Sequence, residues 1–286
     1  MSLSPTPAPP LPQSADPVLE AVLRGVEVVD LGRQLTIGMP QSPNHPAFWH
    51  ALPRRHGDMV RPDGGSAAND IITMGTHVGT HVDALSHVSQ DGRLHGDLDA
   101  LEAGIGGRYA ALGAHTIEPM VRRGVLLDIP AVLSLPRCAP GQEITADNLD
   151  QACAKQGVEV RDGDVVLIRS GWGQHFDSGD RDAYIGHDTG VPGVGAEGAQ
   201  WLADRNVHAA GADTIAFECL PAGSGHSVLP AHSILLVAHG IYIIEAMALE
   251  ELAQRATTEF LFLLSPLPIF GATGSPARPL AVISRG

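Results

Sequence analysis

The sequence predicts one α/β domain in which helices pack on a mixed sheet or barrel. Its apolar runs are short and rich in Val, Ile and Leu, which is typical of buried strands. Helix-like segments lie between some of these runs without strict alternation, and this pattern favours a mixed sheet. The length of 286 residues allows one large domain or two small ones. The absence of an internal repeat or a long linker favours one.

The predicted elements follow a proline-rich start. Residues 1–17 hold six prolines, and because proline lacks an N–H we predict a disordered tail before a domain over 18–286. Thr145 is a capping residue and Gly157 a stop signal for the longest predicted helix. The predicted strands are Val26–Leu31, Asp70–Thr73, Gly124–Asp128, Val165–Arg169, Val207–Gly211, Tyr242–Glu245 and Phe260–Leu264. The predicted helices are Asp16–Arg24, Thr145–Gln156, Gly195–Arg205 and Leu249–Gln254.

Charge and cysteine content narrow the classes of partner. A formal net charge of −14 argues against a nucleic-acid partner, because such binding depends on Lys and Arg neutralising phosphates. The three cysteines are far apart and form no CxxC pair, which disfavours a disulfide framework and suits a reducing cytosol. Neither a signal-peptide pattern nor an apolar run of membrane-spanning length is present. We therefore expect a cytoplasmic protein that acts on a small-molecule substrate and binds neither nucleic acid nor membrane.

The strongest functional signal lies just before residue 90. There the chain packs His77, His81, Asp83 and His87 into eleven residues. Imidazole nitrogens and carboxylate oxygens are ligands that suit Zn²⁺, Mn²⁺ and related ions. A lone histidine is more often structural, but this density next to two glycines predicts a divalent-metal site. We expect His77, His81 and Asp83 to be its ligands.

The spacing of these residues requires the backbone to curl. On a straight strand His77 and Asp83 would lie roughly 20 Å apart, too far to share an ion. Gly75 and Gly79 permit turns, because glycine adopts positive φ without a steric cost. Asp83 and His87 are four residues apart and would meet on one face of a helix. We therefore predict a strand end, a glycine turn and a helix start around the ion.

The number of ligands favours catalysis. Three protein ligands leave a coordination position for water, and bound metal lowers the pKa of that water to about 7. His87, with an ordinary pKa of about 6.5, is the candidate proton-transfer group. One or two ions fit the pattern, since Asp83 can bridge. The leading hypothesis is hydrolysis of a C–N bond in a small amide, lactam or formamide. Lactone hydrolysis, a ring-forming or dehydrating reaction, and metal binding without turnover remain alternatives.

One motif links the chain to a known family. The pattern His77-Val-Gly-Thr-His81-Val-Asp83-Ala-Leu-Ser-His87 resembles the signature of the cyclase family of metal-dependent hydrolases, which includes kynurenine formamidase and isatin hydrolase. The resemblance runs from about Val26 to Arg278. Its other matching stretches are Gly124–Asp128, Gly171–Gly173, Gly211–Thr214, His232–Glu245 and Gly271–Pro276.

The resemblance implies a fold and a fuller site. The fold would be a compact swivelling β/β/α-type domain, assembled as a homodimer or homotetramer, with Mn or Zn as the metal. His77, His81 and Asp83 would hold the first ion, His87 would transfer protons, and the distal pair His232 and Glu245 would complete a one- or two-ion site. From the residues alone, Glu245 at the end of an apolar run is equally compatible with a solvated strand end.

Two departures bear on the substrate. Kynurenine formamidases have Asp-Ala-Pro where this chain has Asp83-Ala-Leu, and Trp-Pro where it has Ser42-Pro43, so their activity is not implied. Phe48 and Trp49 follow in the same loop and are candidates for an aromatic substrate-binding wall, while a core or interface role is at least as compatible. Gly225-His-Ser227 lacks the second glycine of a nucleophile elbow and predicts no serine hydrolase.

Overall fold

A nine-stranded mixed sheet organises residues 16–285, the part of the chain that the computed structural model describes. The strands are β1 (Val26–Asp30), β2 (Trp49–Arg54), β3 (Asn69–Thr73), β4 (His81–Asp83), β5 (Arg93–Leu94), β6 (Leu98–Asp99), β7 (Met120–Asp128), β8 (Glu143–Ile144), β9 (Val165–Arg169), β10 (Gly193–Val194), β11 (Ala209–Ala212), β12 (Tyr242–Glu245), β13 (Glu259–Leu264), β14 (Gly274–Pro276) and β15 (Leu280–Ser284). The helices are α1 (Pro17–Arg24), α2 (Ala100–Ala103), α3 (Ile129–Leu133), α4 (Ala146–Gln156), α5 (Gly173–Asp177), α6 (Arg181–Ile185), α7 (Ala196–Asp204), α8 (Pro230–His232) and α9 (Glu250–Gln254). A π-helical segment, Ser233–His239, continues α8, and His95–Asp97 and Ala114–Thr116 are 3₁₀ turns.

The sheet has parallel strands at its centre and antiparallel strands at both sides. The strand order is β1-β15-β13-β7-β9-β11-β12-β4-β14. Strands β7, β9, β11 and β12 run parallel to one another, and the other neighbours pair antiparallel. Parallel strands need cover on both faces, and β9 is buried along its whole length. The predicted mixed α/β fold is confirmed.

Alternate residues of the central strands point into two apolar cores. Val125 of β7 packs in one core with α4 and α7, whereas its neighbour Leu126 packs on the opposite face. Strand β4 follows the same alternation. Because Val82 is buried in the second core, His81 and Asp83 face the side on which α4 and α7 lie. Within residues 16–285 no helix has both the length and the apolar character needed to cross a bilayer.

The capping residues in the sequence correctly predict where the longest helix begins and ends. Thr145 caps α4 through a capping box, and Gly157 ends the helix in the left-handed conformation. Helices α7 and α9 lie within the predicted segments. The predicted tail, residues 1–17, lies outside the described residues except for Asp16 and Pro17, which cap and open α1.

All the predicted strands are present, but the sequence pattern does not reveal β4, β14 and β15. The helix start predicted after Asp83 is wrong. Residues 84–87 form a turn, in which His87 N donates to Ala84 O at 2.9 Å. The cause is strand pairing, since β4 lies between β12 and β14. Ala84 N also donates to Thr273 O at 2.9 Å, which keeps the chain extended past Asp83.

Candidate metal centre

Strand pairing brings the first candidate ligands together. His81 and Asp83 are two residues apart in β4 and therefore point to the same face of the sheet. Strand β12 lies beside β4, with Glu245 directly opposite His81 in the ladder. Glu245 is only 7% exposed, so it is not a solvated strand end. The carboxylate instead lies within the sheet face that carries His81 and Asp83.

Three glycines shape the approach of His77 to this face. Gly79 adopts φ +67°, the left-handed region that glycine reaches without strain. Gly75 does not use positive φ, so that prediction is wrong. A Cβ at Gly75 would lie 3.1 Å from Pro46 Cδ, and close packing is the reason for glycine there. Across the site, a Cβ at Gly274 would lie 2.5 Å from His77 Cε1, so only glycine leaves room for this ring.

Nitrogen and oxygen atoms of four side chains converge on this face. His81 Nε2 lies 3.4 Å from Glu245 Oε2 and 3.5 Å from Asp83 Oδ1. His232 Nε2, at the end of α8, lies 3.3 Å from Glu245 Oε1 and 3.7 Å from Asp83 Oδ2. All four side chains are 9% exposed or less.

The chemistry of these donors fits a divalent metal. His81 Nε2 and Asp83 Oδ2 are buried and have no hydrogen-bond partner, although buried polar atoms are normally paired. The separations of 3.3–3.7 Å between the donor atoms are typical of neighbours that each lie about 2.0–2.2 Å from one ion. Two imidazoles and two carboxylates are also the ligand types that Zn²⁺ and Mn²⁺ accept.

Two overlapping groups of potential ligands share one carboxylate. Asp83, His232 and Glu245 form one group, and His77, Asp83 and His87 form the other. Within each group the ligand atoms lie within 4.8 Å of one another. The structure therefore brings together all the residues that the sequence predicts as metal ligands or as the proton-transfer group.

His77 differs from the other candidates because both of its ring nitrogens are engaged. Its Nδ1 lies 2.7 Å from Asp83 Oδ1 and its Nε2 lies 2.9 Å from Thr273 Oγ1. Its ring also stacks on His87, with centroids 3.9 Å apart and an interplanar angle of 25°. In this arrangement His77 positions Asp83 and His87, and it becomes a ligand only by giving up one of its contacts.

Carboxylates set the charge of the other two histidines. Burial lowers the pKa of His81, but the nearby carboxylates of Glu245 and Asp83 outweigh it and raise the pKa to about 9. Burial also lowers the pKa of His232, and Glu218 and Glu245 together raise it to about 10. Without an ion both rings are therefore protonated at neutral pH, so that metal binding must release protons.

The pKa values of Asp83, Glu245 and His87 are lowered. Burial opposes ionisation of Asp83, yet His87 and His77 hold the pKa of this carboxyl well below its usual range. Burial and the charge of Asp83 raise the pKa of Glu245, but His232 and His81 lower it to about 2. Burial lowers the pKa of His87 to about 4 against the opposing charge of Asp83. His87 is therefore an uncharged imidazole at neutral pH.

Glu218 is an orienting residue that the sequence pattern does not reveal. Its Oε2 accepts a hydrogen bond from His232 Nδ1 at 2.8 Å, and its Oε1 accepts one from Ala231 N at 2.7 Å. This pairing directs His232 Nε2 toward the other ligands. Phe217, just before it, adopts φ +57°, a strained conformation for a bulky residue. The only sequence signal is a single acid within an apolar stretch.

Phe48 and Trp49 lie in different environments. Phe48 is buried and packs against Met39 and Val78, so it belongs to a small apolar cluster beneath the loop that precedes β2. Trp49 is 60% exposed at the start of β2. Contact of either ring with substrate stays a prediction. The crevice over the metal centre is lined by Pro40, Gln41, Ser42, Tyr184 and Ile215 together with the histidines of β4 and its preceding turn.

Known proteins resemble this chain over most of its length. A family model described as a putative cyclase matches residues 29–219. Isatin hydrolase of Roseibium aggregatum is 25% identical over 267 residues, which cover 91% of this chain and 93% of that protein. The crystal structure of a novel cyclase is 28% identical, with a TM-score of 0.79, and covers 94% of this chain and 93% of its own. Isatin hydrolase A from Ralstonia solanacearum is 25% identical, with a TM-score of 0.73, and covers 96% of this chain and 100% of its own.

Proposed function

The chain belongs to the cyclase family of metal-dependent hydrolases, and we propose that it cleaves the C–N bond of a small amide, lactam or formamide. One observation carries the proposal. His81, Asp83, His232 and Glu245 meet in a buried cluster in which two atoms have no partner, next to the uncharged His87. A purely structural cluster has no need of unpaired ligand atoms, since each costs stability.

The proposed ligand set is His77, His81, Asp83, His232 and Glu245, and the proposed metal is Mn or Zn. Two groups of ligand atoms that share Asp83 support a site for one or two ions. Metal-free protein titrated with Mn²⁺ or Zn²⁺ should bind no more than two ions per chain, with the tighter ion lost on mutation of Glu245 to Gln. Unchanged metal content in that variant would remove Glu245 from the set.

In the proposed reaction the protein positions groups and moves a proton. A bound divalent ion supplies Lewis acidity to a water and to the substrate carbonyl. His87, held in plane by stacking on His77, accepts a proton from the attacking water at a ring nitrogen and delivers it to the leaving nitrogen. Because its pKa is lowered to about 4, the protonated ring is a strong donor to that nitrogen. Gln41 and Ser42, both buried, line the crevice that reaches His77 and His81.

A substrate panel tests the proposed activity. Chelator-treated protein and protein reloaded with Mn²⁺ or Zn²⁺ are assayed with formanilide, benzene-fused lactams and benzene-fused lactones. We expect metal-dependent hydrolysis of at least one formamide or lactam. Full activity in rigorously metal-free protein, or no turnover of any C–N substrate by the reloaded protein, would contradict the proposal.

A second candidate is lactone hydrolysis, or a ring-forming or dehydrating reaction, at the same site. His87 supports it equally, because a ring that has accepted the proton of the attacking water can deliver it to a leaving oxygen as well as to a leaving nitrogen. The lactones in the panel separate the two activities. A higher kcat/KM for a lactone than for the lactam of the same ring would favour the second candidate.

We also propose that two or four copies assemble through the ribbon formed by β2 and β3. These strands pair with each other and expose both faces, including the large apolar residues Trp49, Leu52, Ile71 and Ile72. A two-stranded ribbon alone is marginally stable in water. Residues 49–73 carry equal numbers of Arg and Asp in a chain of net charge −14, so this segment can approach a second copy without strong repulsion. Light scattering of wild type and Ile71→Asp should show a dimer or tetramer and a smaller species, respectively.

A cytoplasmic location is proposed from the cysteines. Cys138, Cys153 and Cys219 are free thiols in the structure. Unpaired thiols are typical of reducing compartments. Cell fractionation tests this proposal, and recovery of the protein from an oxidising compartment would contradict it.

A further inference from the structure

A cavity of about 410 Å³ lies beside the metal centre. Pro43 and Asn44, from the loop before β2, form one side, and the segment around His226 forms the other. Ile215 lines both this cavity and the crevice that reaches the histidines of the metal centre. The volume of this cavity is in the range of small-molecule binding sites. A substrate whose reactive bond lies at the metal centre therefore has space here for its remaining part.

The cavity lining carries no Lys, Arg, Asp or Glu. It includes the apolar residues Ile185, Ile215 and Leu220. His187 and His226 are its titratable residues. Burial lowers the pKa of His226, so its ring is uncharged at neutral pH. A carboxylate bound in this cavity would have no Lys or Arg to pair with, so that its desolvation would be poorly compensated.

One polar group in the cavity is oriented and free to bind. Asn44 Nδ2 donates to His226 Nδ1 at 3.3 Å, which places the proton of the neutral ring on Nε2. Among residues 16–285 this Nε2–H has no hydrogen-bond acceptor. The contact also joins the two loops on either side of the cavity, so that the ring is held in place before substrate arrives.

We infer that His226, held by Asn44, is a specificity-determining residue whose Nε2–H donates to a carbonyl oxygen on the non-reacting part of a neutral substrate. The inference rests on the proposed function only in placing the reactive bond at the metal centre. It predicts that an uncharged compound with a second carbonyl binds better than the compound without it, and better than the corresponding carboxylate.

Three compounds with one ring test the inference. 2-Pyrrolidinone is the parent lactam, pyroglutamide adds a neutral carbonyl, and pyroglutamate adds a carboxylate. Calorimetry on the Mn²⁺-loaded protein should show tightest binding for pyroglutamide. His226→Phe should weaken pyroglutamide binding about tenfold, the value of one hydrogen bond, and leave 2-pyrrolidinone unchanged. His226→Gln places an N–H near the Nε2 position and should recover most of the loss. His239→Phe, at the exposed histidine that ends the π-helical segment outside the cavity, is the control and should bind all three compounds as wild type does.

The outcomes separate this inference from the proposed function. Equal pyroglutamide binding by wild type and His226→Phe, absence of pyroglutamide binding to wild type, or pyroglutamate binding as tightly as pyroglutamide would each overturn the inference. Turnover is measured separately with the substrate panel. If the binding order holds while no panel compound is hydrolysed, the inference stands and the proposed function fails.

Discussion

Two polar clusters lie on the same sheet, and they differ in how completely their atoms are paired. At the ends of β7 and β9, Arg169 donates to Asp128 at 2.7 Å and to the two oxygens of Glu250 at 3.0 and 2.8 Å. In the metal centre, His81 Nε2 and Asp83 Oδ2 have no partner. Both clusters contain stretches that resemble the family, so the sequence motif alone does not separate them.

Asp213, near the first cluster, also has both of its carboxylate oxygens hydrogen-bonded. Asp213 is fully buried, and Oδ1 accepts from Ser170 N at 2.9 Å and from Ser170 Oγ at 2.6 Å. Its Oδ2 accepts from Gly173 N at 3.3 Å. Burial and charge are therefore common to structural and functional clusters. Among the unpaired buried side-chain atoms of residues 16–285, the histidine nitrogen and the carboxylate oxygen, which are the types that bind metal, both lie in the metal centre.

The largest expected effect is loss of the metal from the unpaired cluster. Asp83→Asn removes the charge shared by both ligand groups, and an amide is a weak ligand for Zn²⁺ or Mn²⁺. We expect metal content by elemental analysis to fall to background and metal-dependent hydrolysis to disappear. Full metal content in this variant would show that Asp83 is not a shared ligand.

The matched change in the fully paired cluster of Arg169, Asp128 and Glu250 is Arg169→Met. It leaves Asp128 and Glu250 without their cation, and because these carboxylates are 16% and 20% exposed, the cost should stay below the about 3–5 kcal/mol of a fully buried ion pair. We expect chemical denaturation to show that loss of stability, while the folded fraction keeps its metal and its turnover. Loss of metal from folded Arg169→Met would remove the distinction between the two clusters.

A smaller effect is expected at His87, which lies beside the ligands. His87→Ala should retain metal and lose activity by about 10²–10⁴-fold, because it removes proton transfer and leaves the ligands of β4 and β12 in place. Metal stoichiometry and turnover are measured on the same preparation. An empty site would make His87 a ligand, and full activity would show that the proton is moved by another group.

The effect at Glu218 is smaller again. Glu218→Gln keeps the shape of the side chain but weakens the charge-assisted bond that orients His232. Loss of such an orienting partner typically lowers metal affinity about 10–100-fold. Competition with a chelator of known affinity measures this change. Glu259→Gln, at an exposed acid paired with Arg123, is the control and should bind metal as wild type does.

The sequence predicts the residues of the metal centre better than it predicts the backbone conformation on which they lie. The central strands are visible because long apolar runs form them, whereas β4 has three residues and is a strand because β12 and β14 pair with it. That pairing is non-local. The spacing of Asp83 and His87 fits a turn as well as a helix, so the predicted helix start failed. Glu218 has no local pattern, because its partner His232 lies on another element.

The smallest expected effect is the pH dependence of metal stabilisation. In metal-free protein the pKa values of His81 and His232 are raised to about 9 and about 10, above about 6.5 in an unfolded chain. Their charged forms therefore stabilise the metal-free fold fully below about pH 6.5, and this contribution is lost as the pH rises through about 9–10. Metal requires both rings to be neutral, so that binding releases protons and is favoured by higher pH. We expect the Tm difference between Mn²⁺-loaded and chelated protein to grow from about pH 6 to about pH 8.5. Asp83→Asn, the control, should show no such difference. A constant difference in wild type would mean that these histidines do not exchange protons for metal.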